Sequence, residues 1–188
     1  LEEGCIRVAR AKAVVEYPAR FLLVAAMNPC PCGRGARPGW CTCSDHQRQR
    51  YARRLSGPLL DRIDLRVDVP RPDVAQLLTG PSGESSEVVA ARVAAARALA
   101  RARGVRSNAE LPALALESVA PLRGGVAVLL EDALRAGTLS ARGMHRVRRV
   151  ARTIADLRGD VLVNEEDMCL ALQLRSEPSM LRAAGTAA

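Results

Sequence analysis

The residues best placed to do chemistry are two cysteine couples. Cys30-x-Cys32 and Cys41-x-Cys43 stand eight residues apart, four thiols within fourteen residues. Four thiolates close a tetrahedral zinc site, and a site filled entirely by protein ligands is structural rather than catalytic. Gly33, Gly35, Pro38 and Gly39 supply the turns that fold the couples together. His46 is a possible substitute for one thiolate. Paired disulfides and unliganded loop thiols are the other readings, although nothing in the chain suggests secretion. Binding of about 10–16 kcal/mol, as in small zinc peptides, is ample to order such a loop. Cys5 and Cys169 are lone, apolar-flanked thiols and read as core packing.

Other chemistries are excluded. The chain of 188 residues carries 28 basic against 20 acidic side chains, net +8, and its one lysine is Lys12. Lys12 follows Ala11, so no glycine-rich loop ending in Gly-Lys-Ser/Thr is present to cradle a nucleotide's phosphates. Gly33-Arg34-Gly35 lacks the third glycine of a dinucleotide fingerprint, since Pro38 stands there. Aromatics make up 2% of the chain, too few for a base-stacking platform. The basic balance points weakly towards polyanions such as nucleic acid. No apolar run is long enough to span a bilayer, so no membrane partner is expected. A chain that opens on Leu1 without a charged-then-apolar leader reads as an interior or C-terminal piece of a longer, cytoplasmic protein.

The elements that must position these residues are of two kinds. Cys5 to Ala11 and Val14 to Tyr17 alternate with period two and predict a hairpin with Arg10 and Lys12 at its tip. Phe21 to Met27 is continuously apolar, the pattern of a strand covered on both faces. Asn28-Pro29 ends it, at the strand end where open α/β sheets bind ligands; taken alone, a plain Asn-Pro turn is the simpler account. Ser44 caps a helix from Asp45 to Leu55, whose Arg48, Arg50, Arg53 and Arg54 read as a solvated face. Ser56-Gly57-Pro58 breaks it, and Pro58 opens a short turn. Ile63, Leu65, Val67 and Val69 alternate with polar residues and predict a half-exposed strand.

Residues 70–86 read as a linker with a short helical turn, and everything after reads as helical, over Val88 to Arg103, Leu114 to Ala120, Gly125 to Arg135, Ser140 to Leu157 and from Asn164 onwards, with Ser140 and Asn164 as caps. Arg146, Arg148, Arg149 and Arg152 read as a second solvated face. The fold class is thus α/β followed by all-α, over residues 1–80 and 81–175, with a Cys-rich loop at 28–44 and a disordered tail at 176–188.

Three segments in order carry a resemblance: FLLVAAMNPCPC (21–32), LSGPLLDRIDL (55–65) and LSARGMHRVRRVARTIADL (139–157). Together they resemble the magnesium-chelatase-like AAA+ ATPases of the ComM/YifB family. The resemblance covers residues 1 to about 175. It implies the late strands and hairpin of a P-loop-type core, then a helical lid, in a motor that works as a homo-oligomer, a hexameric ring, with ATP and Mg²⁺. The P-loop and the acidic strand that holds Mg²⁺ are not in this chain, so the chain alone is expected to be inactive.

The resemblance also implies roles. Asn28 looks like sensor 1, which orients the attacking water at the γ-phosphate. Arg62 looks like the arginine finger, and Arg142 like sensor 2, acting on its own or a neighbouring subunit. The hairpin is similar to one that points into the pore of ring helicases, where Arg10 and Lys12 would touch DNA phosphates; a solvated turn is the other reading. Relatives of this type are branch-migration helicases of DNA uptake and recombination. The likeness to magnesium chelatase also raises metal insertion into a porphyrin, a reading that needs a partner integrin-type subunit, for which nothing in the chain argues. A different reading is a zinc-containing helix-turn-helix regulator without enzymatic activity. It rests on the two helices joined at Gly137–Ser140, the second of them net +5.

Overall fold

An alternating sequence folds into a hairpin only if both strands can pair in one register. The computed structural model, which describes residues 4–11, 13–34, 39–70, 72, 74–80, 83–122 and 124–176, shows that register. Strands β1 (Cys5–Arg10) and β2 (Ala13–Pro18) run antiparallel with Ile6 opposite Tyr17 and Arg10 opposite Ala13. Arg7 and Glu16 face each other and close an ion pair at 2.8 Å. Arg10 is exposed beside the turn, whereas Lys12 lies outside the described residues. The hairpin belongs to the first of two compact units, and the chain passes into the second at Gly57.

The remainder of this unit corrects the expectation of a doubly covered strand. Phe21 to Met27 has no regular secondary structure, and Leu22 and Val24 are 88% and 82% exposed. A strand exists only through its ladder, and β1–β2 is the one sheet among the described residues. Helix α1 (Asp45–Ala52) follows. Ser44 caps it by accepting from the Gln47 N–H, while the Gln47 side chain accepts from the Ser44 N–H.

The second unit is helical. It contains α2 (Gly57–Arg62), α3 (Val74–Thr79), α4 (Ser86–Ala102), α5 (Leu116–Val119), α6 (Gly125–Arg135), α7 (Ala141–Arg158) and α8 (Glu165–Gln173). Ser85, Ser140 and Asn164 cap α4, α7 and α8, and Gly159 ends α7 in the left-handed conformation at φ +81°. Residues 63–70 are irregular, so the alternating run from Ile63 to Val69 is not a strand here. It too has no partner strand among the described residues. What holds its first residues instead is a set of arginine contacts described below.

Helix α7 is the axis of this unit and packs against α4, α5 and α8. Val126 and Leu130 of α6, Val147 and Ala151 of α7, and Met168 and Ala171 of α8 form one buried cluster with Ala120 and Leu139. Arg148 and Arg152 are buried among these elements, at 1% and 2% exposure, which overturns the expectation of a solvated face. Arg148 donates to the Leu116 and Ala120 carbonyls and to Glu117. Arg152 donates to Asp156 and to the carbonyls of Val161 and Asp160. Arg152 thereby satisfies the loop carbonyls of Asp160 and Val161, while Arg148 satisfies that of Ala120 and adds a second bond at Leu116, whose carbonyl also accepts from the Ala120 N–H. Cys169 is exposed and Cys5 half-buried, so neither is a core residue. The expected tail lies outside the described residues from 177 onwards.

Among the described residues no helix is long and apolar enough to cross a membrane.

Candidate functional site

The Cys-rich loop turns back on itself at once. The Gly33 N–H donates to the Cys30 carbonyl at 3.0 Å, and Gly33 has φ +71°, where a side chain would be strained. This turn brings Cys32 back beside Cys30. Gly39, at φ +81°, sits shortly before the second couple. The four sulfurs of Cys30, Cys32, Cys41 and Cys43 all lie within 4.8 Å of one another. Three of the separations are 3.3 Å, 3.7 Å and 3.8 Å. Zinc–sulfur bonds of about 2.3 Å at tetrahedral angles place sulfurs about 3.8 Å apart, so the spacing fits a tetrahedral cation. All four are free thiols, and His46 is not part of the group.

The electrostatics of the cluster favour thiolate at one end. The backbone N–H of Arg34, then the Cys30 thiol and the Thr42 N–H, bring Cys32 down to about 6. The Cys43 N–H lowers Cys41, assisted by Arg48. Desolvation, compounded by its sulfur neighbours, pushes Cys43 up to about 11. Anionic sulfurs resist crowding without a cation between them, and a divalent metal draws all four into the thiolate form. Arg48, read from sequence as solvated, pairs with Asp45 and reaches the Cys41 sulfur at 3.7 Å. Its (i, i+3) spacing from Asp45 was the available signal.

Asn28 opens this loop, two residues before Cys30, and is exposed. A Cβ placed on Gly33 would lie 3.5 Å from its Nδ2, so the amide rests against the first turn of the cysteine loop.

The second unit holds the two arginines. Arg62 ends α2, is exposed, and donates from Nη1 to the Pro58 carbonyl at 2.8 Å. Arg142 is exposed on the first turn of α7. The elements that carry them are tied together. The Ser140 hydroxyl, which caps α7, also donates to Asp61 Oδ1 at 2.9 Å. The Asp61 carboxyl is drawn upwards by burial, but the Ser140 hydroxyl and the Arg175 charge outweigh this and hold it below the usual carboxylate range. Sequence reasoning passed over Asp61, Ser140 and Arg175 as site residues, because no spacing rule links positions so far apart.

Comparison with known proteins gives this arrangement its setting. Residues 1–77 match the family model described as magnesium chelatase, subunit ChlI. Residues 83–175 match the model of that subunit's C-terminal part. The competence protein ComM of Haemophilus influenzae is 40% identical over 183 residues, which are 97% of this chain and 36% of that protein. The YifB protein of Escherichia coli K12 is 38% identical over 182 residues, 96% of this chain and 36% of its own. An uncharacterised Mycobacterium tuberculosis protein is 43% identical over 179 residues, 93% and 35% of the two chains. The chain thus spans about a third of the length of these relatives. With both halves matched in order and the likeness sustained over nearly its whole length, this chain belongs to the ComM/YifB family of magnesium-chelatase-like proteins, within the AAA+ ATPases.

Proposed function

We propose that this chain is the sensing and coupling part of an AAA+ ATPase that works as a hexameric ring in the cytoplasm and remodels DNA. The observation that carries the reading is the junction in the second unit, where Arg62 and Arg142 sit on elements joined by the Asp61–Ser140 hydrogen bond. In this reading residues 1–80 complete an α/β core and residues 81–175 form the lid over the nucleotide.

Arg62 has the chemistry of a finger. Its Nη1 rests on a neutral carbonyl, and an exposed guanidinium exchanges such a partner readily for the oxygens of a phosphoryl group. Neutralising transition-state charge in this way contributes about 10³–10⁵ in rate. Arg142, on the first turn of α7, serves as sensor 2. Asn28, a neutral amide braced against the cysteine loop, orients the attacking water. The four cysteines hold a structural zinc ion, which would fix the loop that Asn28 opens. ATP and its Mg²⁺ are bound chiefly by residues outside this chain, so the chain alone does not turn over. Arg10, beside the hairpin turn, meets DNA phosphates with Lys12, contacts that position without reading sequence. The name of the Haemophilus relative, a competence protein, supports a role in DNA uptake.

The regulator reading is weaker. A recognition helix needs its basic face free, and Arg146, Arg148 and Arg152 of α7 are engaged within the unit.

The experiment is Arg62→Ala in the full-length protein. ATP turnover falls by about 10³-fold or more while nucleotide binding is retained. Unchanged turnover removes the finger. Stimulation of turnover by branched DNA, measured in parallel, tests the DNA assignment.

A further inference from the structure

Arg175 lies just beyond α8, and its side chain is 7% exposed. A buried guanidinium is costly unless it is hydrogen-bonded, and the bonds from both Nη atoms go to one short segment. Nη1 donates to the Ile63 carbonyl at 2.8 Å. Nη2 donates to the Asp61 carbonyl at 2.7 Å and to Asp61 Oδ1 at 2.6 Å. Both neighbours of Arg62 are therefore gripped by one side chain.

The same guanidinium abuts α7. A Cβ on Gly143 would lie 3.1 Å from Arg175 Nε and 2.8 Å from Leu139 Cδ1, so only glycine lets the arginine lie against the first turn. Gly143 follows Arg142 directly. Three further residues close the clamp. Ser140 donates to Asp61. Arg66 donates to the Leu60 and Arg175 carbonyls, and its N–H to the Leu174 carbonyl. Arg146 pairs with Asp64 at 2.6 Å.

We propose that Asp61 and Arg175 are positioning residues for Arg62 and Arg142, fastening the segment that carries the first to the helix turn that carries the second. The two exposed guanidiniums then move as one body, and a displacement of either at its nucleotide displaces the other. This rests on the ATPase reading above and adds its coupling device. Stability alone does not explain the arrangement, since Asp61 is 33% exposed and a partly solvated ion pair contributes little. What the fork of Arg175 supplies is a fixed geometry at two carbonyls and a carboxylate.

The test is Arg175→Met, with Asp61→Asn beside it, in the full-length protein, read by amide exchange and steady-state ATP turnover. The expected result is about 10-fold or faster exchange at residues 61–66, with the α7 amides around Val147 and Ala151 unchanged. With it, kcat falls by about 10²-fold, the cost of about 1 Å of misplacement, while KM for ATP holds. Unchanged protection overturns the clamp. Lost protection with wild-type kcat, or an altered KM with kcat intact, overturns the positioning role. If Arg175→Met exposes the α7 amides it has unfolded the unit, and Asp61→Asn decides by the same criteria. A wild-type protein that hydrolyses no ATP fails the ATPase reading itself and overturns the positioning role with it.

Discussion

Arg152 and Asp156, one turn apart on α7, form an ion pair at 3.0 Å with side chains only 2% and 1% exposed. Asp156 also accepts from Asn108 Nδ2 at 2.7 Å and pairs with Arg103 at the end of α4. One carboxylate therefore ties α7 to α4 and to the turn at Asn108. Removing it leaves two guanidiniums underpartnered. Asp156→Ala should destabilise the helical unit by about 3–5 kcal/mol, the usual cost of breaking a buried pair. Urea unfolding followed by circular dichroism checks this. A loss below about 1 kcal/mol would mean that water reaches the cluster and screens it.

The cysteine centre predicts a metal. Elemental analysis of the full-length protein should find one zinc per chain, and Cys30→Ser, at the most buried ligand, should lose it. Chelation should then loosen residues 28–44 and expose the α1 amides, because Arg48 joins that helix to Cys41. Full zinc occupancy in Cys30→Ser would remove the tetrathiolate assignment.

The chain made these features legible to different degrees, and the differences have physical causes. Local rules were sufficient for the hairpin and for the caps at Ser44, Ser140 and Asn164, since each depends on neighbours in sequence. The cysteine spacing announced its own cluster for the same reason. Phe21 to Met27 and Ile63 to Val69 have strand patterns, yet a pattern records a capacity to pair, and no partner strand is present among the described residues. Arg148 and Arg152 were misread because arginine on a helix is usually solvated. Their clue was the spacing 148, 152, 156 beside Ala151 and Ala155, small residues that leave room for guanidiniums. Arg175 gave no clue, since its partners lie over a hundred residues away.

Asp61 predicts a pH dependence. Its carboxyl is held below the usual range by Ser140 and Arg175, against the opposing effect of burial. A carboxyl whose folded pKa is depressed contributes stability above its unfolded value, near about 3.9. That contribution disappears as pH falls through the folded value. The urea midpoint of the wild type should therefore drop between pH 6 and pH 3 by more than that of Asp61→Asn. Glu117, lowered by its hydrogen bond to Arg148, still titrates in both proteins, so some acid sensitivity remains in the variant. Parallel curves would show that Asp61 is not paired in solution.

Ser140 and Ser85 offer a matched comparison. Both cap helices of the second unit by accepting a backbone N–H, Ser140 from Gly143 and Ser85 from Val88. Loss of a serine cap alone costs about 1 kcal/mol. Ser140 differs in that its hydroxyl proton goes to Asp61, on the segment that carries Arg62. Ser140→Ala should therefore cost more than Ser85→Ala, by about 1–3 kcal/mol for a lost hydrogen bond to a charged group. It should also speed exchange at residues 61–66, which Ser85→Ala leaves unchanged. Equal costs and equal exchange would reduce Ser140 to a cap and leave Arg175 alone to hold Asp61 in place.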